Sequence, residues 1–488
     1  MVKINVLFAF LPALYIKKLI GYTTELSKLK NNSIAIKKRN LLLRKEDHHN
    51  QLNLRQEVSM YNVDELTRIK EYRQIRKEVR GSDKYLLVGI DIGKETHYAF
   101  YGTTTGKTLK RRLVFGNDFS GIDMLMDIAN CLKEDNNFEK IVYGLEPTAN
   151  YHKPLAESLI KCGCNVVQVS GVAIAKNREL LDGRWDKHDG KDSANAADLI
   201  SQGKFQYYDY PSVEIRDLRE LFSLKRMLRK QEHRMKLRIR NNLIAQYFPE
   251  FDSQFAKGCS ESLAVVKWCI RPKDINLMEY EEFEHLVAPR VRTRAQADRV
   301  KLIWLDANES IGCEAGDALQ FGARLIVEDL QNIRSSIKAI DKQIANICME
   351  FPEYHHLLTI PGFGPDISSK VLGIIGNPFR FDNGKQLIKL VGLDLNANRS
   401  GKTSKSAVPR LSKRGNAHLR FSLYQAALIA SIHNRYFKRH YTNQLCGRER
   451  EKGIKTKMRV KLAAKMLIIA WTLMKKKEPF NSTYLNLE

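Results

Sequence analysis

The chain has 488 residues, which is enough for two or three domains with separate cores. Its 81 lysine and arginine residues against 55 acidic ones give a formal charge of +26, which fits DNA, RNA or the ribosome as a partner better than an anionic membrane. From Arg380 to Glu488 there are 24 basic and 6 acidic side chains, so most of the excess charge lies in the last quarter. The eight cysteines form no CxxC pair, which argues against a zinc site and indicates reduced thiols.

Residues 1–80 are predicted to form an N-terminal extension. The opening segment, MVKINVLFAFLPALYIKKLIGY, has an apolar run of about a dozen residues, which is short for a helix that crosses a bilayer. No small-residue cleavage site of a signal peptide follows it. The chain from Met60 onward reads as an ordinary N-terminus, which raises the hypothesis that native translation starts there and that residues 1–59 are not part of the native protein.

Residues 81–208 predict a mixed α/β domain. The segment KYLLVGIDIGKETHYAFYG (84–102) is typical of a buried strand followed by an antiparallel partner, and KTLKRRLVFGN continues as a third strand. Helices then alternate with the strands KIVYGLEPT and CNVVQVSG, and the segment around Asp189 closes the domain. Antiparallel strands followed by alternating helices and strands indicate a sheet of the ribonuclease H type.

The rest of the chain predicts helices. Residues 209–351 contain two long helical runs, and the second (322–351) places apolar residues at steps of three and four, as in a coiled-coil seam or a core-facing helix. We expect a helical hairpin or dimerisation arm that ends at Pro352, whereas residues 250–320 show no clear pattern. Residues 352–488 predict a basic, mostly helical C-terminal domain. The expected fold class is therefore multi-domain, α/β plus α.

Acidic residues stand at the ends of three separate predicted elements. Asp91 ends the first strand and Glu146 a later one, while Asp189 and Asp192 lie three residues apart at the start of a helix. Each alone has an ordinary explanation as a turn residue, a surface residue or a helix cap. Their coincidence at the edge where α/β sheets carry active sites instead predicts a cluster able to hold two Mg²⁺ ions.

Two C-terminal stretches are candidates for contact with nucleic acid. Gly362 and Gly364 in IPGFGP have the spacing of a turn whose backbone N–H groups could meet a phosphate, although an ordinary helix-linking turn explains them equally well. Residues 393–420 form a polar segment with the serines Ser400, Ser404, Ser406 and Ser412 and the cations Arg399, Lys402, Lys405, Arg410, Lys413, Arg414 and Arg420. A serine that attacks phosphate needs such cations around the phosphate oxygens.

Taken together, these motifs resemble those of the DEDD transposases of the insertion-sequence-110 family, which are bridge-RNA-guided recombinases, and of the related pilin-gene DNA invertases. The resemblance runs from about Lys84 to Lys477. GIDIGKETH, GLEPTANY and DKHDGKDSANAADLI match the successive carboxylate motifs, and TIPGFGP, FRFDNGKQLIKLVGLDLNANRSGK and LSKRGNAHLR match the C-terminal transposase domain. Ala149, where the family usually has glycine, and Ser193, where alanine is common, depart from the pattern without touching the acids.

The resemblance implies a RuvC-like domain whose metal site is formed by Asp91, Glu146, Asp189 and Asp192. It implies that Ser400 is the nucleophile that forms a phosphoserine link to DNA; Ser404 is the alternative in the same segment. It also implies a structured non-coding RNA that pairs with target and donor DNA. A homo-oligomer, dimer or tetramer, would join one subunit's serine to another's carboxylates. We therefore expect a cytoplasmic, nucleoid-associated protein without a membrane segment.

Three other functions fit parts of the pattern. A RuvC-like nuclease or junction resolvase would use the four acids but would have no use for Ser400. A sugar-kinase-type ATPase also opens with GIDIG, but it needs a second glycine-rich loop of the DxGGGT kind, which this sequence does not contain. An inactive nucleic-acid-binding remnant of a transposase would keep the basic charge, and the intact motifs argue against it.

Overall fold

The computed structural model describes residues 65–182, 189–255, 259–290, 293–396 and 409–485. The hypothesis of a start at Met60 lies outside the described residues, as do the predicted roles of Arg399, Ser400, Lys402 and Lys405. The chain divides into two compact units, one that ends at Ser212 and one that runs from Val213 to Glu488. The four-part division into extension, catalytic domain, helical linker and C-terminal domain stays a prediction.

The first unit is built on a six-stranded mixed sheet with the order β3-β2-β1-β4-β5-β6. β1, β2 and β3 are antiparallel neighbours, β4 and β5 run parallel to β1, and β6 is antiparallel to β5. The strands are β1 (Tyr85–Asp91), β2 (Thr96–Thr103), β3 (Thr108–Gly116), β4 (Lys140–Leu145), β5 (Asn165–Gln168) and β6 (Gln206–Tyr207). The helices are α1 (65–78), α2 (Phe119–Asp135), α3 (His152–Lys161), α4 (Gly171–Asp182) and α5 (Asp189–Ser201).

The central strand β1 is buried on both faces, which explains its nearly continuous apolar sequence. Leu86, Val88 and Ile90 pack with residues of α2 and α3 on one face of the sheet. Tyr85 and Leu87 pack with residues of α1, α4 and α5 on the other face. The expected mixed sheet, with its strands and helices in the predicted order from residue 84 to residue 168, is confirmed.

Two glycines let α5 lie close against the sheet. A Cβ on Gly89 of β1 would collide with the Ser193 carbonyl oxygen and lie 2.6 Å from the Ala197 backbone nitrogen. A Cβ on Gly144 of β4 would collide with the Ile200 side chain. These neighbouring glycines, which are paired in register, open the surface on which α5 packs.

The second unit is almost entirely helical in the described residues. A π-helical turn (Ile239–Ile244) joins α6 (Val213–Arg238) to α7 (Ala245–Tyr247), and a short antiparallel pair is formed by β7 (Leu395–Asn396) and β8 (Arg410–Leu411). The remaining helices are α8 (Ser260–Trp268), α9 (Pro272–Asn276), α10 (Tyr280–Val287), α11 (Arg294–Asn308), α12 (Asp317–Met349), α13 (Pro352–Leu358), α14 (Pro365–Ile375), α15 (Gly384–Val391), α16 (Ala417–His433), α17 (Arg435–Leu445) and α18 (Ile454–Lys476). Among the described residues, no helix combines the length and the apolar character that a membrane crossing requires.

The long helix α12 serves two hydrophobic cores in turn. Ile326 and Leu330 belong to a core shared with α8, α10 and α11, whereas Ile340 and Ile344 belong to a core shared with α13, α14, α16 and α18. Much of the apolar stripe predicted for residues 322–351 is therefore buried within the chain, although Leu325 is exposed. The role of this segment as a dimerisation arm stays a prediction.

Residues 250–320, which show no clear pattern in the sequence, contain the helices α8 to α11. Three of these helices, α8 to α10, have at most nine residues and offer few turns from which a period could be read. The longer α11 has 15 residues but buries only Val300, Ile303 and Ala307. Local start signals are nevertheless present. Thr293 accepts a hydrogen bond from the Gln296 backbone N–H at the start of α11, and Glu282 accepts one from the Glu279 backbone N–H at the start of α10.

The close approach of α5 to β1 gives a first prediction. We expect Gly89→Ala to destabilise the protein by about 2–3 kcal/mol, because the new methyl group meets helix backbone that cannot rotate away. Urea unfolding of the full chain, followed by circular dichroism, measures the effect. As a control, Gly322→Ala in α12, where a Cβ meets no atom within 4 Å, should stabilise by up to about 1 kcal/mol. Equal stability of the two variants would contradict the assigned packing.

Candidate active site

Asp91 and Glu146 lie at the ends of neighbouring parallel strands. β1 and β4 pair in register up to Ile90 and Leu145, so the two carboxyl residues follow the last pair side by side. Because side chains alternate along a strand, both acids share the sheet face of Gly89 and Gly144, which is the face covered by α5. Both side chains are half-buried. The predicted meeting of these two residues at one edge of the sheet thus has a basis in strand register.

The first turn of α5 carries the other two predicted acids. Asp189 is the first residue of α5, and its side chain lies outside the described part of the chain. Asp192 lies one residue before Ser193, whose carbonyl faces Gly89, and its own side chain is only 2% exposed. Asp192 is therefore a buried carboxylate in the part of α5 that packs against the C-terminal half of β1.

Asp192 forms a buried ion pair with Arg178 of α4. Arg178 donates from Nε to Oδ1 at 2.9 Å and from one terminal nitrogen to Oδ1 at 2.6 Å and to Oδ2 at 2.8 Å. The Arg178 side chain is 14% exposed. This fork-to-carboxylate geometry is the strong form of a charge-assisted hydrogen bond, so α4 and α5 are tied together at the acidic residue.

A second set of polar contacts holds α4 against α5 one turn further on. The amide nitrogen of Asn177 donates to Asn195 Oδ1 at 3.2 Å and to Asp198 Oδ2 at 2.8 Å, and Gln202 donates to the same Asp198 oxygen at 2.8 Å. Asn177 and Asn195 are both buried. These bonds fix the two helices independently of Asp192.

The start of α4 contacts the other strand-end acid. A Cβ on Gly171 would overlap with Glu146 Oε1 and lie 3.1 Å from the Glu146 carboxyl carbon. Glycine at this position therefore leaves the space in which the carboxylate lies. One helix thus touches two of the four predicted acids, Glu146 at its start and Asp192 near its end.

The chemistry of the donors suits a hard divalent cation, since Asp and Glu oxygens are the ligands such ions prefer. The arrangement does not complete a site by itself. Within the described ranges, no three His, Cys, Asp or Glu side chains come together as a metal-binding group. The Asp189 side chain lies outside the described part of the chain, and the Asp192 oxygens accept the Arg178 hydrogen bonds.

A buried histidine shapes the turn that follows Asp91. His97 accepts a hydrogen bond at Nδ1 from the Gly93 backbone N–H, at 3.2 Å, and packs edge-on against Phe115. Burial lowers the pKa of His97 below its ordinary value, despite the opposing effect of Asn117. Only the neutral ring can accept at Nδ1, so the lowered pKa and the turn geometry support each other.

The turn after Glu146 contains the departure from the family pattern. Ala149 has a φ of +46°, a left-handed conformation that glycine adopts without a steric penalty. A non-glycine residue there costs about 1–2 kcal/mol. The left-handed conformation therefore explains why glycine suits this position. In this chain the backbone adopts that conformation even though the residue is alanine.

In the second unit, the two glycines of IPGFGP have different surroundings. Gly362, with a φ of +90°, packs on α16, where a Cβ would lie 2.6 Å from the Ala426 carbonyl oxygen. Gly364 precedes α14, and a Cβ there would meet no atom within 4 Å. Close packing thus accounts for Gly362, whereas the backbone at Gly364 stays open to an approaching group.

The predicted serine segment is bracketed by paired strands. Asn396 of β7 pairs with Arg410 of β8, and next to them the Ser412 hydroxyl donates to the Asp394 carboxylate. Ser400 belongs to the segment between the two strands and lies outside the described residues. We call the paired residues 392–396 and 410–415 the stem.

The base of the stem is a crossing of two glycine-containing backbones. A Cβ on Gly392 would lie 2.9 Å from the Arg414 backbone nitrogen, and one on Gly415 would lie 2.5 Å from the Leu390 carbonyl oxygen. Arg420 donates to the Val391 carbonyl oxygen at 2.8 Å, so its guanidinium supports the stem. The cationic side chains of Arg410, Lys413 and Arg414 are exposed.

Further cations lie near the start of α16, beside the stem. Burial, together with the positive charges of Arg226, Lys370 and Lys230, lowers the pKa of His418. The charges come from α6 and α14, which are distant in sequence. The fold therefore gathers positive charge around His418 from elements outside the serine segment.

Two family models match this chain. One, described as a transposase and built on the DEDD transposases of IS110 elements, matches residues 88–249, and the other, described as a transposase of the IS116/IS110/IS902 family, matches residues 354–442. Together they cover more than half of the 488 residues. The chain belongs to the IS110 transposase family.

The IS110-family chain is also similar to the pilin gene-inverting protein of Moraxella bovis. The two are 28% identical over 160 residues, which are 32% of this chain and 48% of that protein. The chain therefore spans about half the length of this curated relative. The predicted resemblance to IS110 transposases and pilin-gene invertases is confirmed.

Sequence reasoning on this IS110-family protein missed the residues that hold the acids in place. Arg178, Asn177 and Gly171 all belong to α4, and no motif in the sequence marks this segment between β5 and Asp189 as functional. Arginine and asparagine facing an aspartate-rich helix offered a weak signal, but their partners are known only once α4 and α5 are packed together. The metal-ligand roles of Asp91, Glu146, Asp189 and Asp192 stay predictions.

The neutral state of His97 gives a prediction for stability against pH. Because its pKa is lowered by folding, its contribution is present above about pH 6.5 and is lost as pH falls through the folded-state pKa. We expect His97→Asn, whose Oδ1 can accept the Gly93 hydrogen bond, to flatten the loss of unfolding free energy below pH 6.5. The difference in slope should approach about 1.4 kcal/mol per pH unit. Replacement of the exposed His233 by asparagine serves as the control, and parallel curves for wild type and His97→Asn would contradict the argument.

Proposed function

We propose that this IS110-family protein is the transposase of an insertion sequence, and that it cuts and rejoins DNA through a serine nucleophile. The observation that carries the proposal is the placement of Asp91 and Glu146, side by side at the ends of parallel strands and on the face covered by the acidic start of α5. The edge at the carboxyl ends of the strands, where these two acids lie, is where α/β sheets carry active sites. The bracketed serine segment with exposed cations beside it supports the second half of the proposal.

In this proposal, Asp91, Glu146, Asp189 and Asp192 would hold Mg²⁺, with room in the donor set for two ions. The bound metal would neutralise charge on the phosphate and on the departing oxygen. The chain's own residues hold the donors in place. β1 and β4 fix the spacing of the first two acids, Gly171 leaves room for the Glu146 carboxylate, and His97 holds the turn after Asp91.

Ser400 would carry the covalent step. Its hydroxyl oxygen forms a bond to the DNA phosphorus and loses its proton, and the bond from phosphorus to one sugar oxygen breaks, so that this sugar leaves as an alcohol. The phosphoserine link keeps the phosphate ester for rejoining to a new sugar hydroxyl, with no outside energy source. Arg410, Lys413 and Arg414, together with the cations near His418, would bind the DNA backbone beside the stem.

The partners follow from the family resemblance. A structured non-coding RNA of the element would select donor and target DNA by base pairing, and the charge of +26 suits both nucleic acids. A dimer or tetramer would bring the serine of one subunit to the carboxylates of another. Such a protein would act in the cytoplasm, on the nucleoid. The similarity to a pilin gene-inverting protein fits the same chemistry of cutting and rejoining DNA.

A covalent-adduct assay tests the serine assignment. Purified protein, RNA from the flank of its element and junction DNA are incubated with Mg²⁺, and denaturing gels reveal protein-linked DNA. We expect the adduct to vanish in Ser400→Ala and Asp192→Ala and to persist in Ser404→Ala, the matched change in the same segment. DNA cut without an adduct, and undiminished in Ser400→Ala, would instead indicate a RuvC-like nuclease that forms no covalent intermediate.

A substitution at Gly171, next to Glu146, is expected to change cleavage activity without lowering the free energy of unfolding. In Gly171→Ala the methyl group must displace the Glu146 carboxylate, so we expect cleavage to fall by about 10²-fold. Stability should stay equal or rise by up to about 1 kcal/mol, because alanine favours the helix. Val172→Ala, at an exposed position next in the same helix, should give the same equal or slightly higher stability but leave cleavage unchanged. Full activity of Gly171→Ala would show that the Glu146 position is not critical for cleavage.

A further inference from the structure

The Arg178–Asp192 pair conflicts with a simple reading of Asp192 as a metal ligand. Both Asp192 oxygens accept hydrogen bonds from the guanidinium, at 2.6–2.9 Å, and the carboxylate is almost completely buried. A buried carboxylate needs a counter-charge, because an unpaired charge in a low-dielectric interior is strongly destabilising. Arg178 supplies that counter-charge, and a divalent cation at the same oxygens would supply it a second time.

We propose that Arg178 is the counter-ion that holds Asp192 until a divalent cation displaces it, so that arginine and cation compete for one carboxylate. This inference rests on the metal role of Asp192 in the proposed function. Two positive charges around a single buried aspartate repel each other strongly. Occupation by the cation therefore requires the guanidinium to give up at least part of its fork, and Arg178 lowers the affinity of the site for metal.

The packing around the pair allows such an exchange. Asn177 binds Asn195 and Asp198 of α5 without involving Asp192, so α4 stays docked on α5 when Arg178 releases its partner. The start of the same helix leaves the space in which the Glu146 carboxylate lies, and movement of the Arg178 side chain does not require that backbone to shift. Only the Arg178 side chain has to move. Arg178 is thus a positioning residue that acts through Asp192 and controls when this carboxylate is free for metal.

Binding of Mn²⁺, measured on the full chain by the paramagnetic resonance signal of free Mn²⁺, tests the proposal without relying on activity. Mn²⁺ takes the same oxygen ligands as Mg²⁺. We expect Arg178→Met to bind Mn²⁺ about tenfold more tightly than wild type, because the competitor is gone. Arg178→Lys, which keeps the charge but loses the fork, should lie between them. The double variant Arg178→Met with Asp192→Asn should lose the gain.

Thermal unfolding with and without Mn²⁺ tests the proposal even if Arg178→Met is less stable than wild type. Arg178→Met leaves Asp192 without its counter-ion, so the unfolding temperature of this variant should be lower than that of wild type when Mn²⁺ is absent. Addition of Mn²⁺ should raise the unfolding temperature of the variant more than that of wild type. Arg240→Met is the matched control. It breaks an exposed two-bond pair with Asp252, at 2.6 and 2.7 Å, and should show no Mn²⁺-dependent recovery.

The outcomes separate the two hypotheses. Equal Mn²⁺ affinity of wild type, Arg178→Met and Arg178→Lys, with weaker binding in Asp192→Asn, would overturn the competition and leave the metal role of Asp192 intact. Binding that is the same in wild type and Asp192→Asn, or absent from every variant, would overturn the metal assignment of the proposed function and the competition with it. Destabilisation of Arg178→Met that Mn²⁺ does not relieve, with wild-type affinity in Arg178→Lys, would reduce Arg178 to a structural residue.

Discussion

The arrangement of the acidic edge depends on how closely α5 approaches the sheet. Gly89 and Gly144 form a pair in register on β1 and β4, where a side chain at Gly89 would collide with the α5 backbone and one at Gly144 with the Ile200 side chain. The same alternation that turns these glycines toward α5 turns Asp91 and Glu146 toward it two residues later. A local property of two strands therefore places Asp91 and Glu146 side by side on the face that α5 covers.

The fold and the strand-end acids could be predicted from the sequence because they depend on local patterns. The apolar run of β1 and the acids after β1 and β4 can be read without knowing any tertiary contact. Arg178 could not be predicted, since an arginine in a helix is ordinary until its partner in the next helix is known. The helices of residues 250–320 could not be predicted because α8 to α10 are short and α11 buries only three residues, while the capping residues Thr293 and Glu279 are weak signals alone. The role of Ser400 still rests on family resemblance.

The proposed metal site and the proposed DNA-binding surface differ in how deeply their charged side chains are buried. In the first unit, Asp192 is almost fully enclosed and must always have a positive partner, whether arginine or metal. In the second unit, the cations Arg410, Lys413 and Arg414 beside the stem are exposed and hydrated. An enclosed acidic site gives strong, specific interactions in a low dielectric, whereas exposed cations give salt-dependent attraction to a polyanion. The proposed catalysis and the proposed binding of DNA would thus place opposite demands on solvation within one chain.

The stem has a consequence for how such proteins diversify. Its contacts, from the Asn396–Arg410 pairing to the Gly392–Gly415 crossing and the Arg420 hydrogen bond, all lie outside the segment that it closes. Once the ends are held, a longer connection between them costs only about 0.6 kcal/mol for each doubling of its length. A longer connection between the paired strands should therefore cost the stem little, so that selection could reshape the proposed DNA-binding segment while the stem stays the same.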